Sequence, residues 1–337
     1  MTIASSFPGP PSRTGLRLRE KKSLTHVEGP YLDAAVADFS GYLAVDELYD
    51  GPFCILLAVD PRQQRRLMYE VLDHDPARLD IFLFLLRLNE ELRNRGKTVE
   101  GITTDGSSLY PVPIPLVFGS IRHQVCRFHI IKEVIQAINK VLSGIRKELH
   151  AQIPKLPSGR SKNTPRNQEK KQRVQALKQH VSELFKHRKL FVKRTLSEKE
   201  RTILQELTRS DKRLQAVRSI MEEVYRLFDR RCSTATALTK LTKLRKRLGR
   251  YEHLEKVLDK LNSPNLEKAL TYLDDKLLES TSNAVERGNR RYRKMQKSVY
   301  SRRTAETIKA RLALDLQREE QDRGRRQTLE CLHAARS

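Results

Sequence analysis

Every strand-like run in this chain falls between Gly41 and Phe128, and residues 176 to 278 carry hardly any β signal. A fold obeying that pattern places one sheet early and fills a long later stretch with helices. Gly41 to Tyr49 reads as a first strand, Asp50-Gly51 as a turn, and Phe53 to Val59 as the antiparallel hairpin partner. Arg65 to Leu72 supplies a third strand. Asp75-Pro76 reads as a helix start, with Asp as cap and Pro at the first helical position. That helix runs through Phe82, Leu85, Leu86, Leu88 and Leu92 and stops at Gly96. Val99 to Thr104 is a fourth strand and His123 to Phe128 a short fifth. The fifth leads into an amphipathic helix with Ile131, Val134, Ile135, Ile138, Val141, Leu142 and Ile145 on one face.

A three-stranded meander followed by alternating helices and strands is the order of a ribonuclease H-like half. The expected fold is therefore α/β, a ribonuclease H-like mixed sheet flanked by helices over residues 36–150 and interrupted by a large all-α insertion over 176–278. Between them, residues 151–175 are rich in Pro, Ser, Gly, Asn and bases and poor in apolar residues, the composition of a flexible basic linker. Leu241, Leu244, Leu248, Tyr251, Leu254, Leu258 and Leu261 recur at steps of three and four, which reads as a bundle seam inside one domain, with self-association as the alternative. Residues 279–318 read as closing helices with a basic face, broken near Ser298 to Ser301. Residues 1–35 read as a disordered basic leader and 319–337 as a frayed tail.

The chain's 337 residues include 66 Lys plus Arg against 41 Asp plus Glu, a net charge of +25 and a pI near 10.1. Such a surplus points to nucleic acid as partner. A membrane partner is not supported: the longest apolar run, Ile81 to Leu86, is far below the roughly 20 residues of a span. Nor does any basic amphipathic stretch carry a bulky aromatic face. The four cysteines form no Cys-x-x-Cys pair, which fits a reducing, cytoplasmic compartment.

Within this frame three acids stand out. Asp46 interrupts the apolar run Gly41 to Tyr49, and a carboxylate in a buried strand is costly unless paired or metal-bound. Asp105 ends the fourth strand, although Asp105-Gly106 is also an ordinary turn dipeptide. Glu286 opens the basic helix, although Asn283 to Glu286 has capping-box spacing and Arg290 sits where it could pair with Glu286. Taken together, the three carboxylates suit two Mg²⁺ ions about 3.5–4 Å apart, with Mn²⁺ as a substitute. Arg287, Arg290, Arg291, Arg293, Lys294 and Lys297 follow on the same helix, placed to hold phosphates without reading sequence. Cys126-x-x-His129 has the spacing of half a zinc site. A second pair is lacking, and in an extended segment Cys126 faces away from His123 and His129.

The blocks Leu43 to Tyr49, Thr104-Asp105-Gly106, Gln124 to Lys132 and Thr281 to Arg291, in this order, resemble the DDE transposases of bacterial insertion sequences, in the branch with a long helical insertion. The resemblance covers roughly residues 40 to 318. It implies that Asp46, Asp105 and Glu286 are the catalytic triad and metal ligands, and that Cys126, His129 and Asn283 have structural roles. It also implies Mg²⁺-dependent cleavage and strand transfer on double-stranded DNA, at element ends and target, in a homo-oligomer assembled on the nucleoid. Such enzymes usually carry an N-terminal module that reads the element ends. The 40 residues before the first strand contain no cysteine and no helix pair, so the expectation is a core served by a separate end-reading domain or protein. The alternatives are a nucleic-acid-binding relic that has lost catalysis, and a self-associating structural protein built on the insertion.

Overall fold

The computed structural model describes residues 29–155, 164–249, 251–297 and 304–334, with side chains to Glu320 in the last segment. The chain divides into two compact units, residues 1–124 with 277–337, and residues 125–276. The first unit holds a five-stranded mixed sheet in the order β3-β2-β1-β4-β5. Its strands are β1 (Tyr42–Asp50), β2 (Phe53–Asp60), β3 (Arg65–Leu72), β4 (Gly101–Thr104) and β5 (Arg122–Val125). The hairpin partners β1, β2 and β3 are antiparallel, and β1 and β4 run parallel. Helices α1 (29–36), α2 (Arg78–Asn94) and α3 (Pro113–Phe118) belong to the same unit. The second unit is helical: α4 (Arg127–Ala151), α5 (Pro165–Lys186), α6 (Glu198–Thr208), α7 (Lys212–Leu227), α8 (Thr234–Leu248), α9 (Glu255–Asn262) and α10 (Pro264–Lys268). The chain then returns to the first unit with α11 (Asn283–Gln296) and α12 (Ala305–Ala334).

Alternation along β1 and β2 explains how the sheet is covered on both sides. Leu43, Val45, Leu56 and Ala58 face α2, which buries Ile81, Phe84, Leu85, Leu88 and Leu92 against them. On the other face, Ala44, Leu57 and Val59 pack with Ala284 and Val285 of α11. Further along, Leu48 and Ile55 pack with Tyr292 of α11 and with Ile308 and Leu312 of α12. Two helical layers thus enclose one sheet, the α/β arrangement read from the sequence.

Several boundaries differ from the sequence reading. Residues 29–35, assigned to the leader, are helical and put Tyr31, Leu32 and Ala35 into the core; residues 1–28 lie outside the described residues. Helix α2 starts at Arg78, capped by Ala77, whose N–H is bonded by Asp80 at 2.7 Å, so Asp75-Pro76 precedes the helix instead of opening it. The linker reading fails over residues 165–175, which form the start of α5 with Val174 buried; residues 156–163 lie outside the described residues. The helical unit begins at Val125 because α4 packs against α5, α7 and α9. The tail does not fray from residue 319, since α12 runs on to Ala334 and Glu319 and Glu320 are anchored on β3. The expected break near Ser298 to Ser301 falls outside the described residues.

Candidate active site

Strand β1 outruns its neighbour. It pairs with β4 only from Tyr42 to Ala44, opposite Gly101 to Thr103, whereas its pairing with β2 continues to Asp50. Carrying the parallel register two residues beyond Ala44 and Thr103 sets Asp46 opposite Asp105. The turn after β4 needs Gly106, whose φ of 98° is a left-handed value that side chains resist. Asp105 also stabilises that turn, its Oδ1 accepting the Ser107 N–H at 2.8 Å. Asp105 therefore serves the turn and still presents its carboxylate close to Asp46.

Glu47 joins these two acids. One carboxylate oxygen from each of Asp46, Glu47 and Asp105 lies within 4.8 Å of the others. Adjacent strand residues ordinarily point to opposite faces, and the open edge of β1 beyond Ala44 is where Glu47 meets Asp46. Burial, followed by the charge of Asp105, pushes the Glu47 pKa up to about 7. Glu47 Oε1 is buried without a hydrogen-bond partner. The hydroxyl of Tyr110, a wholly buried residue, is likewise unpartnered. Tyr110 and Ser107 nonetheless stand close enough to the Glu47 carboxylate to offset part of its upward shift through weak hydrogen bonding. Burial also holds the Tyr110 phenol well above its ordinary pKa. A carboxylate oxygen desolvated and left unbonded is what a cation would satisfy. The all-oxygen donor set suits a hard divalent ion such as Mg²⁺ or Mn²⁺.

Helix α11 lies along β1 on the Asp46 face. Val285 packs beside Ala44, Asn289 Nδ2 donates to Asp46 Oδ2 at 2.9 Å, and the Tyr292 hydroxyl donates to Asp50 Oδ2 at 2.7 Å. Gly288 makes the approach possible, because a Cβ there would sit 2.7 Å from Leu57 Cδ2. Gly288→Val should lift α11 off β2 at a cost of about 1–3 kcal/mol. Thermal unfolding and protection of the α11 amides from exchange would check this, and an unchanged melt would refute the close packing.

Glu286 stands one residue after Val285 and three before Asn289, at the level of Ala44 to Asp46. It is outside the group formed by Asp46, Glu47 and Asp105. Neither bland reading of Glu286 holds. Ser282 takes the N-cap position and its carbonyl accepts the Glu286 N–H at 3.0 Å, so Asn283 is the first helical residue and no capping box forms. No ion pair to Arg290 or to any other described residue engages the Glu286 carboxylate, which remains half-buried.

Arg287, Arg290, Arg293, Lys294 and Lys297 are exposed on α11 and make no ion pair with a described residue. Arg291 is different: its Nε bonds Asp315 Oδ1 at 3.0 Å, which ties it to α12. Cys126 is buried immediately before α4, and His129 lies in the first turn. Among the described residues neither belongs to a group of three or more potential metal ligands. His123 instead shares a 2.9 Å hydrogen bond, through Nε2, with Thr104 Oγ1.

Sequence reasoning missed Glu47, Tyr110 and Asn289. The pair Asp46-Glu47 is a visible signal, but adjacent residues of a strand ordinarily face opposite sides of the sheet. Asn289 became meaningful only once α11 was placed along β1.

The sheet thus gathers carboxylates at the ends of adjacent strands beneath a basic helix, an arrangement suited to holding nucleic-acid phosphates. Residues 57–312 match the family model described as Transposase, of the ISL3-type DDE group. That span is 256 of 337 residues, about three-quarters of the chain, and the chain belongs to this transposase family. The matched span contains Asp105 and Glu286 and begins eleven residues after Asp46. No curated protein matches the chain.

Proposed function

We propose that this protein cleaves DNA at the ends of a mobile element and joins the freed 3′ hydroxyl to target DNA, using Asp46, Asp105 and Glu286 as its catalytic carboxylates. The observation that carries this reading is the convergence of Asp46, Glu47 and Asp105 within 4.8 Å. Two unit charges at that distance repel by about 3 kcal/mol at an effective dielectric of about 20, a cost that a divalent cation removes. Asp46 and Asp105 would hold the metal from adjacent strands, Glu47 would add a third carboxylate, and Glu286 would complete a second site from α11. A divalent ion such as Mg²⁺ held by these carboxylates would supply activation of the attacking water or hydroxyl and neutralisation of the departing oxygen. The protein's own part is positional. Asn289 fixes the Asp46 carboxylate, the turn at Gly106 aims Asp105, and the exposed bases of α11 hold the phosphates on either side. Among the described residues no helix is long and apolar enough to cross a membrane. The proposed setting is the bacterial cytoplasm, on nucleoid DNA, with copies of the chain assembling on the element ends.

The test is nicking and strand joining on duplex DNA carrying the element's terminal repeats, with Mg²⁺, with Mn²⁺ and with chelator. Cleavage in either metal and none in chelator is the expected result. Salt-dependent retention of the duplex without cleavage in either metal would instead establish a binder that has lost catalysis. That second reading draws on the position of Glu286 outside the carboxylate group.

Glu47→Gln gives a separate check on the cation site. Glutamine keeps the size and a carbonyl oxygen but removes one charge, so Mn²⁺ affinity should fall about tenfold. The stabilisation that saturating Mn²⁺ gives against thermal unfolding should shrink by about 1.4 kcal/mol. An unchanged Mn²⁺-dependent shift in Tm would remove Glu47 from the site.

A further inference from the structure

The net positive charge of this protein is concentrated in the helical unit and not in the unit that holds Asp46, Glu47 and Asp105. Residues 125–276 contain 37 Lys or Arg and 17 Asp or Glu, a net +20, whereas the remaining residues contain 29 and 24, a net +5. Most of the chain's surplus therefore sits on the helical unit, which contains none of the catalytic carboxylates. Solvated charge on helix faces ordinarily alternates in sign and does not gather into one unit in this way.

Within that unit, α6 and α7 enclose a trough. One part is a cavity of about 700 Å³ and the next a cavity of about 550 Å³, and the two share Gln205, Thr208 and Gln215 in their walls. Arg194, Arg201, Arg209 and Arg226 stand along it. All four are exposed, and none forms an ion pair with a described residue. The acids of the trough are partly neutralised. Arg218 Nε bonds Glu222 Oε1 at 2.8 Å while its Nη1 donates to the carbonyls of Leu190 and Lys193. That lattice also stiffens the wall. The rim is fixed at one end by a capping box in which Ser197 bonds the Glu200 N–H and Glu200 bonds back to the Ser197 N–H. From Arg201 to Arg209 the wall extends about 12 Å at about 1.5 Å per residue, a length over which duplex DNA presents roughly seven phosphates.

We propose that the trough between α6 and α7 is a second DNA-binding surface, which grips the sugar-phosphate backbone of duplex DNA through Arg194, Arg201, Arg209 and Arg226. This rests on the reading of the protein as a DNA-acting transposase and adds to it where the duplex is held. The surface reads charge and not sequence, because it offers guanidinium groups on a wide open wall and no element shaped to enter a groove.

The experiment measures binding of a fluorescently labelled duplex to the full chain by anisotropy over a series of KCl concentrations. Two variants are compared with the unaltered protein. The first replaces Arg194, Arg201, Arg209 and Arg226 by Gln. The second removes the same number of charges from the exposed face of α5, as Lys170→Gln, Lys171→Gln, Arg173→Gln and Lys178→Gln. Each phosphate contact contributes about 0.9 to the slope of log K against log salt. The trough variant should therefore lose about 3 to 4 from that slope, and the α5 variant much less, with both retaining the unaltered protein's circular dichroism. Equal losses in the two variants, or no loss in the trough variant, would overturn the trough as the site while leaving the DNA reading intact. Failure of the unaltered protein to bind duplex would overturn both.

Discussion

Asp46→Asn and Asp105→Asn should each abolish DNA cleavage, lowering its rate by about a thousandfold or more, while the metal-free proteins melt at or above the temperature of the unaltered one. The first half follows from losing an anionic ligand: a bound metal supplies several kcal/mol of stabilisation to the developing charge, and about 1.4 kcal/mol is worth tenfold in rate. The second half follows from the crowding of Asp46, Glu47 and Asp105 within 4.8 Å. Without a cation these groups repel one another, and removing a charge relieves the repulsion. Asparagine at position 46 still offers an oxygen to Asn289, which now bonds Asp46 at 2.9 Å. At position 105 it still accepts the Ser107 N–H. A site that gains stability as it loses function is what a built metal centre predicts and a structural ion cluster does not. If either variant cleaved at a tenth of the normal rate or better, that residue would leave the catalytic set. Glu286→Gln belongs in the same series. Its carboxylate forms no bond to a described residue, so the substitution should leave the melt unchanged and bear on cleavage alone.

The parts of this fold that could be read from sequence are those governed by short-range pattern. The hairpin of β1 and β2 follows from Asp50-Gly51 between two apolar runs, and the strand boundaries at Asp50 and Asp60 lie within a residue or so of the reading. The period-two alternation of a strand likewise puts Leu43 and Val45 on one face of the sheet and Ala44 and Asp46 on the other, as observed. What could not be read depends on partners distant in sequence. Glu47 belongs with Asp46 and Asp105 because β4 stops short of it, a fact of register between strands more than 50 residues apart. Residues 29–35 looked like leader because they follow a stretch rich in Ser, Pro and Arg, yet Tyr31 is held by a hydrogen bond from its hydroxyl to the Arg66 carbonyl at 2.6 Å. Composition alone suggested a linker over residues 165–175, where Lys and Gln are good helix formers even without an apolar stripe. The same bias hid the anchoring of α12 at Glu319 and Glu320, where the contacts with β3 are made by charged side chains.

That anchoring gives the largest expected effect on stability. Arg66 has a side chain only 6% exposed, and it forms an ion pair with Asp315 at 2.8 Å while its Nε bonds Glu319 at 2.8 Å. Beside it, Arg65 pairs with Glu320, and Arg291 reaches Asp315 from α11. The network fastens α12 to β3 and, through Arg291, steadies the helix that carries Glu286 and Asn289. Arg66→Ala would leave the carboxylates of Asp315 and Glu319, each 18% exposed, to share the more exposed guanidinium of Arg291 alone. Breaking a buried pair from one side costs about 3–5 kcal/mol, and for a unit of this size each kcal/mol is worth about 2–4 °C in Tm. The expected fall is therefore on the order of 10 °C. Arg66→Lys should recover only part of it, since a single ammonium cannot serve two carboxylates in the planar geometry of a guanidinium. Ending the chain at Arg318 removes Glu319 and Glu320 together with the rest of α12 and should also lower Tm by several degrees; a frayed tail would predict no change. Mn²⁺ binding by Asp46, Glu47 and Asp105 does not depend on α12 directly, so it should survive both changes better than cleavage does. Parallel loss of Mn²⁺ binding and cleavage in Arg66→Ala would mean that α12 supports the sheet itself, and equal melts for Arg66→Ala and the unaltered protein would show that the network contributes nothing net.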